Sequence, residues 1–176
     1  GISAFAVDGW GQDQVFGATV SASAVWLRPV AAIGAGLLAD RVSASRAVVA
    51  CFASMVLTFG LFGFGPTDAS WLWLLWANTA AIGAAVFALR GLYYALLEES
   101  RVPMALTGTT VGVVSVLGYT PDVFSPPLQG WLLDSYPGAE GHQLFFTTLA
   151  AAAAVGLAAA LGIRRLVRRR EADPPA

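Results

Sequence analysis

Five long apolar stretches, separated by short polar connections, limit what this chain can fold into. They cover approximately residues 15–39, 47–65, 71–97, 107–133 and 144–163. A membrane-spanning helix needs about 20 predominantly apolar residues, and each stretch comes close to or exceeds that length. Because 57% of the residues are hydrophobic and only 12% are charged, no amphipathic helices remain to cover these stretches in a soluble fold. The sequence therefore predicts an all-α multi-pass membrane protein with five complete spans.

The residues outside the spans divide the chain into three parts. Residues 1–11 are interpreted as the truncated end of a further transmembrane helix, because the apolar run from Ile2 to Trp10 is too short to cross a bilayer. Residues 12–163 form the predicted five-span half-domain. Residues 164–176 form a basic tail.

The positions of the arginines predict the orientation in the membrane. Outside the spans they occur only in the first connection, the third connection and the tail, namely Arg41, Arg46, Arg101, Arg164, Arg165, Arg168, Arg169 and Arg170. These segments alternate along the chain and so share one face of the membrane. By the positive-inside rule, that face and the C-terminus are cytoplasmic. Contact of the tail with anionic lipid is the alternative interpretation of its charge.

Several classes of function are disfavoured by composition. Ten basic residues barely balance eleven acidic ones, and half of the basic residues lie in the tail, so we expect no nucleic-acid partner. Cys51 and His142 are the single cysteine and histidine, which argues against a zinc site. Since the sequence also lacks the commonest hydrolase motifs, we expect no enzyme, no cofactor and no metal.

Three charged residues lie inside the predicted spans. Arg28 precedes Asp40 by 12 residues, or about 18 Å of helix, which places it near the middle of the bilayer. Asp122 lies at a similar depth, and Arg90 is nearer to the cytoplasmic end of its span. Ionisable groups at such depth usually face a wet cavity or pair with one another. The sequence leaves open whether these residues line a cavity or form a structural pair such as Arg28 with Asp122.

The fourth span contains residues that usually interrupt helices. Pro121, Pro126, Pro127 and Gly130 predict a broken helix in its second half. Within a bilayer, broken helices are tolerated where protein or water satisfies the backbone, as at the binding sites and hinges of transporters.

Two motifs resemble those of the major facilitator superfamily. Gly36, Asp40 and Arg41, with Arg46 beyond them, are similar to its cytoplasmic-loop motif. The run from Arg90 to Glu99 and the segment from Gly118 to Asp122 resemble its tenth and eleventh helices in bacterial sugar-acid and organic-anion permeases. The resemblance implies the C-terminal six-helix half of that fold, from the end of helix seven through helix twelve. It also implies a missing N-terminal six-helix half as a partner and a plasma (bacterial inner) membrane location.

The resemblance further implies a gate at the cytoplasmic face. Gly36, Asp40 and Arg41 belong to the motif itself. Arg41 or Arg46 is expected to pair with Glu98 or Glu99 in a cytoplasmic latch that breaks as the protein opens inward.

The function expected from these features is secondary active transport of a small solute by alternating access, as a fragment of a larger transporter. The expected substrate is an organic anion, accompanied or not by a proton or ion. Arg28 and Arg90 would supply positive charge, Asp122 a counter-ion or proton carrier, and Tyr93, Tyr119 and Asn78 hydrogen bonds. The alternative is a non-transporting membrane scaffold or half-size subunit that assembles with a partner in the bilayer.

Overall fold

The computed structural model describes residues 2–41, 43–65, 71–99 and 103–172. Within these ranges the chain forms six helices and no strand. The helices are α1 (Ile2–Asp8), α2 (Gln14–Arg41), α3 (Ala44–Phe64), α4 (Leu72–Glu99), α5 (Met104–Ser135) and α6 (Ala139–Ala172). Each of the five predicted spans falls on one long helix, and the predicted all-α fold class is confirmed.

Three of the helices meet the length and hydropathy expected of membrane spans. The qualifying stretches within the described residues are Ala44–Phe64, Leu72–Tyr93 and Ala139–Arg168. They lie on α3, α4 and α6. The α5 helix is more polar, because prolines, glycines, threonines and Asp122 replace apolar residues along its length. Neither α2 nor α5 is among the qualifying helices, so membrane crossing by these two helices stays a prediction.

The α3 helix occupies the centre of the packing. It packs extensively against α6 and also against α4, while α2 packs against α4 and α1. An aromatic cluster joins α1, α3 and α6 at one end of the bundle. Its ring centroids are 5.2 Å apart for Phe5 and Phe62 and 5.0 Å apart for Phe62 and Phe146. At the other end, Val48, Cys51 and Leu92 belong to a second buried cluster.

The α5 helix lies outside this core. It packs mainly against α6 and makes few contacts with α4. Among its described side chains, Leu132 is the one buried hydrophobic residue. The helix is therefore attached to the bundle more loosely than α2, α3, α4 and α6 are attached to one another.

The predicted break in α5 is wrong. The helix runs without interruption from Met104 to Ser135, through Pro121, Pro126, Pro127 and Gly130. Each proline removes one backbone donor, but its fixed φ is compatible with helical geometry. Hydrogen bonds from the surrounding residues continue the helix.

The basic tail also differs from the sequence-based division of the chain. The α6 helix extends past residue 163 and ends at Ala172, so the first part of the tail continues the helix. Arginine has a high helix propensity, and positive charge near a helix C-terminus interacts favourably with the helix dipole. The arginines that predict a cytoplasmic C-terminus thus also lengthen α6.

A glycine contact allows α3 to approach α6 closely. A Cβ atom placed on Gly63 would lie 2.5 Å from Thr147 Oγ1 and 3.2 Å from the Thr147 backbone nitrogen. A Cβ atom on Gly60, one turn earlier, would have no neighbour within 4 Å. The two glycines therefore form a matched pair for testing this packing.

We expect Gly63→Ala to lower the free energy of unfolding by about 1–3 kcal/mol, because the added methyl group overpacks the α3–α6 contact. Gly60→Ala should leave stability unchanged or raise it by up to about 1 kcal/mol, since alanine favours the helix. Chemical unfolding in detergent micelles measures both. Equal effects of the two substitutions would contradict the packing shown here.

Candidate functional site

Arg90 on α4 and Asp122 on α5 form an ion pair between two helices that otherwise make few contacts. Arg90 Nη2 donates to Asp122 Oδ2 over 2.6 Å. The two side chains are 35% and 56% exposed, respectively. The pair therefore lies at the surface of this helical assembly rather than inside its core.

Two tyrosines complete the surroundings of Arg90. Its guanidinium group lies 5.0 Å from the centre of the Tyr119 ring, a distance suited to a cation–π contact. Tyr93 lies three residues after Arg90 on α4, and its ring packs against Gly118 of α5. A Cβ atom on Gly118 would lie 3.0 Å from that ring, so the glycine makes room for it. Four predicted site residues, Arg90, Asp122, Tyr93 and Tyr119, are thus brought together.

The guanidinium group retains binding capacity in this arrangement. An arginine side chain has five N–H donors, and one of them is bonded to Asp122. Arg90 makes no other side-chain hydrogen bond within the described part of the chain. Its remaining donors can therefore bind a further acceptor without disruption of the packing between α4 and α3.

Asn78 does not belong to this site. Its side chain is buried, and its Nδ2 donates to the Thr58 carbonyl of α3 over 2.8 Å. It precedes Arg90 by 12 residues, or about 18 Å along α4. Asn78 was predicted to offer the substrate a hydrogen bond, but its amide nitrogen instead joins two helices. Asp122 pairs with Arg90, and the alternative pair of Arg28 with Asp122 stays a prediction, because the Arg28 side chain lies outside the described ones.

Several predicted residues lie outside the side chains that the structure describes. They are Arg28, Gly36, Asp40, Arg41 and Glu98. Their roles in the substrate site and in the cytoplasmic latch stay predictions.

Glu99 makes a different contact from the one predicted. Its Oε2 accepts a hydrogen bond from the Ser45 backbone N–H over 2.9 Å, and its Oε1 accepts one from Ser45 Oγ over 2.6 Å. Arg46 is exposed and forms no ion pair with Glu99. We call the observed contact the Glu99–Ser45 clasp. It joins the C-terminal end of α4 to the first turn of α3.

The clasp has a simple electrostatic explanation. The first turn of a helix has unpaired backbone N–H groups and a partial positive charge, and a carboxylate satisfies both. Charge alone predicts an arginine partner for Glu99, whereas the observed partner is Ser45. The signal for Ser45 is a small polar residue close to the predicted start of the second span.

A second polar contact was also missed. His142 Nε2 lies 3.1 Å from Asp8 Oδ2, which joins α6 to the end of α1. No pattern in the sequence connected these two residues, because they are 134 positions apart.

In the described residues, no group of three or more His, Cys, Asp or Glu side chains could hold a metal ion.

We expect Glu99→Ala to lower the free energy of unfolding by about 1–2 kcal/mol, because it leaves the Ser45 donors without their acceptor. The double variant Ser45→Ala/Glu99→Ala should cost less than the sum of the two single variants, since both remove the same contact. Glu140→Ala, at an exposed acidic residue of α6, is the control. Additive single effects in denaturant unfolding would contradict a direct clasp.

Two inner membrane proteins of Escherichia coli (strain K12) are similar to this chain. YqcE is 45% identical over 62 residues, which are 35% of this chain and 15% of that protein. YihN is 26% identical over 167 residues, covering 84% of this chain and 40% of that protein. The chain thus spans less than half the length of either relative. No solved structure matches it.

These comparisons correct the family resemblance inferred from the motifs. No family model matches the chain, and both relatives are described only as inner membrane proteins. The identification as the C-terminal half of a major facilitator is therefore wrong on these findings. The motifs misled because glycines, prolines and cytoplasmic arginines are common in membrane proteins of many kinds. Together with the apolar helices, the relatives support a multi-pass inner membrane protein.

Proposed function

We propose that the protein transports a small organic anion across the bacterial inner membrane. The observation that carries the proposal is the partly exposed Arg90–Asp122 pair on helices of a membrane protein. Placing charged side chains against lipid costs at least about 2.5 kcal/mol each on insertion scales, so such groups usually face a water-filled pathway or a partner. A solute pathway beside α4 and α5 satisfies this requirement.

The chemistry of Arg90 favours an anion as the solute. A guanidinium group binds carboxylates through parallel N–H donors, and Arg90 has donors that Asp122 does not use. The hydroxyl groups of Tyr93 and Tyr119 are candidates for the orientation of hydroxyl or carboxylate groups of the substrate. Arg28 is retained as a second source of positive charge.

Asp122 is proposed to act as an internal counter-ion in the empty state. Its carboxylate occupies one face of the guanidinium group over 2.6 Å and neutralises its charge. Protonation of Asp122 would weaken this bond and leave Arg90 free to bind the incoming anion. In this scheme Asp122 also carries the coupling proton.

The transport cycle is proposed to be one of alternating access, with the C-terminus in the cytoplasm. The Glu99–Ser45 clasp and the arginine-rich end of α6 then share the cytoplasmic face, where the clasp would hold α3 and α4 together in one state. Because the chain spans less than half of each relative, the activity is proposed for a protein of their length.

A membrane scaffold or subunit that assembles with a partner is the second candidate. Large apolar side chains are exposed on α2 and α5, including Trp26, Val116 and Val123. A partner that covers α5 would shield the Arg90–Asp122 pair from lipid without any transport. The two candidates differ in whether a solute crosses the membrane.

Uptake into proteoliposomes tests the role of the arginines, with radiolabelled lactate, gluconate and citrate as probes. We expect Arg90→Ala and Arg28→Ala each to lower uptake by about 10–100-fold, because a hydrogen bond to a charged group contributes about 1.5–3 kcal/mol. Arg165→Ala, at an exposed arginine of α6, serves as the control and should transport normally. Unchanged rates and selectivity in both site variants would exclude the anion site. Absence of uptake by the unmodified protein with every probe would favour the scaffold.

The pH dependence of uptake tests the proton role of Asp122. We expect Asp122→Asn to abolish the pH dependence of uptake, because an asparagine side chain does not titrate. Asp134→Asn, at an exposed acidic residue near the end of the same helix, should retain the profile of the unmodified protein. A normal pH profile in Asp122→Asn would exclude this residue as the proton carrier.

A further inference from the structure

The contact between His142 and Asp8 lies at the end of the bundle opposite the Glu99–Ser45 clasp. His142 is in the first turn of α6, and Asp8 is the last residue of α1. The imidazole ring is fully buried, whereas the Asp8 side chain is 47% exposed. A buried titratable group is thus connected to the surface through a single carboxylate.

The hydrogen bond defines which nitrogen of the neutral ring carries the proton. An ionised carboxylate only accepts hydrogen bonds, so Nε2 must carry the proton that is shared with Asp8 Oδ2. The second ring nitrogen, Nδ1, is buried and has no hydrogen-bond partner. While the ring is neutral, Nδ1 is only an acceptor and can stay buried without a partner. Once protonated, it would become a buried donor without an acceptor, which is a far less favourable state.

An apolar ring packs against the imidazole, and a second one lies behind it. The Phe5 ring centroid lies 5.4 Å from that of His142, and the Phe146 ring packs against Phe5 at 5.0 Å. From α1 the charged group that reaches His142 is Asp8. Glu140 on α6 and Asp134 at the end of α5 are exposed. In the described part of the chain, Asp8 is the one counter-charge within 4 Å of the ring.

We propose that His142 and Asp8 form a proton-operated switch that holds α1 on α6. The neutral ring fits its buried site and anchors the end of α1. Protonation adds a charge and an unpartnered donor to that site, so the ring leaves it for water and α1 separates from α6. Under the predicted orientation this switch responds to acid outside the cytoplasm. It does not depend on the proposed transport activity.

Hydrogen exchange of the full chain in lipid nanodiscs tests this switch. The amides of Gly9, Gly11 and Gln12 are hydrogen-bonded to α1 carbonyls and report whether this segment is intact. After correction for intrinsic exchange, we expect their protection factors to fall by about tenfold from pH 7.5 to pH 5.5. Peptides from α3 around Cys51 should keep their protection and serve as the folding control.

Two variants distinguish the switch from general acid sensitivity. In His142→Gln the amide can still donate to Asp8 but does not titrate, so the protection of the α1 segment should become independent of pH. In Asp8→Asn the protonated ring lacks its counter-charge, so the acid-induced loss should be at least as large as in the unmodified protein. The proposal is overturned if the unmodified protein shows no loss, or if His142→Gln retains the loss. It is equally overturned if Asp8→Asn reduces the loss.

Discussion

The α3 helix packs against both α4 and α6, and these two contacts form the centre of the bundle. Gly63 removes the side chain where α3 approaches α6, and the aromatic rings of Phe62 and Phe146 fill the space beside it. Asn78 adds a buried hydrogen bond from α4 to the backbone of α3. In a bilayer, helices associate through such close packing and polar contacts, because lipid provides no hydrophobic drive between them.

The position of α5 follows from this arrangement. Since α4 and α6 both pack on α3, α5 is left at the periphery and meets α4 mainly through Arg90, Asp122 and the two tyrosines. A polar contact of this kind can break and re-form without disruption of the core. The same feature that exposes the ion pair therefore makes α5 a suitable element for movement in the proposed transport cycle.

Polar contacts at the two ends of the bundle have different physical characters. Glu99 binds the first turn of α3, where backbone donors and the helix dipole favour a carboxylate. His142 is buried against the Phe5 ring, and in the described part of the chain Asp8 is the hydrogen-bond partner of its side chain. The Ser45 donors of the first contact do not titrate. The second contact is sensitive to pH because its donor does titrate.

Helix number and helix type within the described residues, and the charged positions within the predicted spans, follow from the sequence, because long apolar runs and misplaced charges are local properties of the chain. Which polar side chains contact one another follows only from the tertiary structure. Asp122 pairs with Arg90, Glu99 binds Ser45, and the buried Asn78 binds the Thr58 carbonyl. The tertiary structure also kept α5 helical through Pro121. A contact depends on which helices pack together and at what rotation, and apolar periodicity within one helix does not specify either.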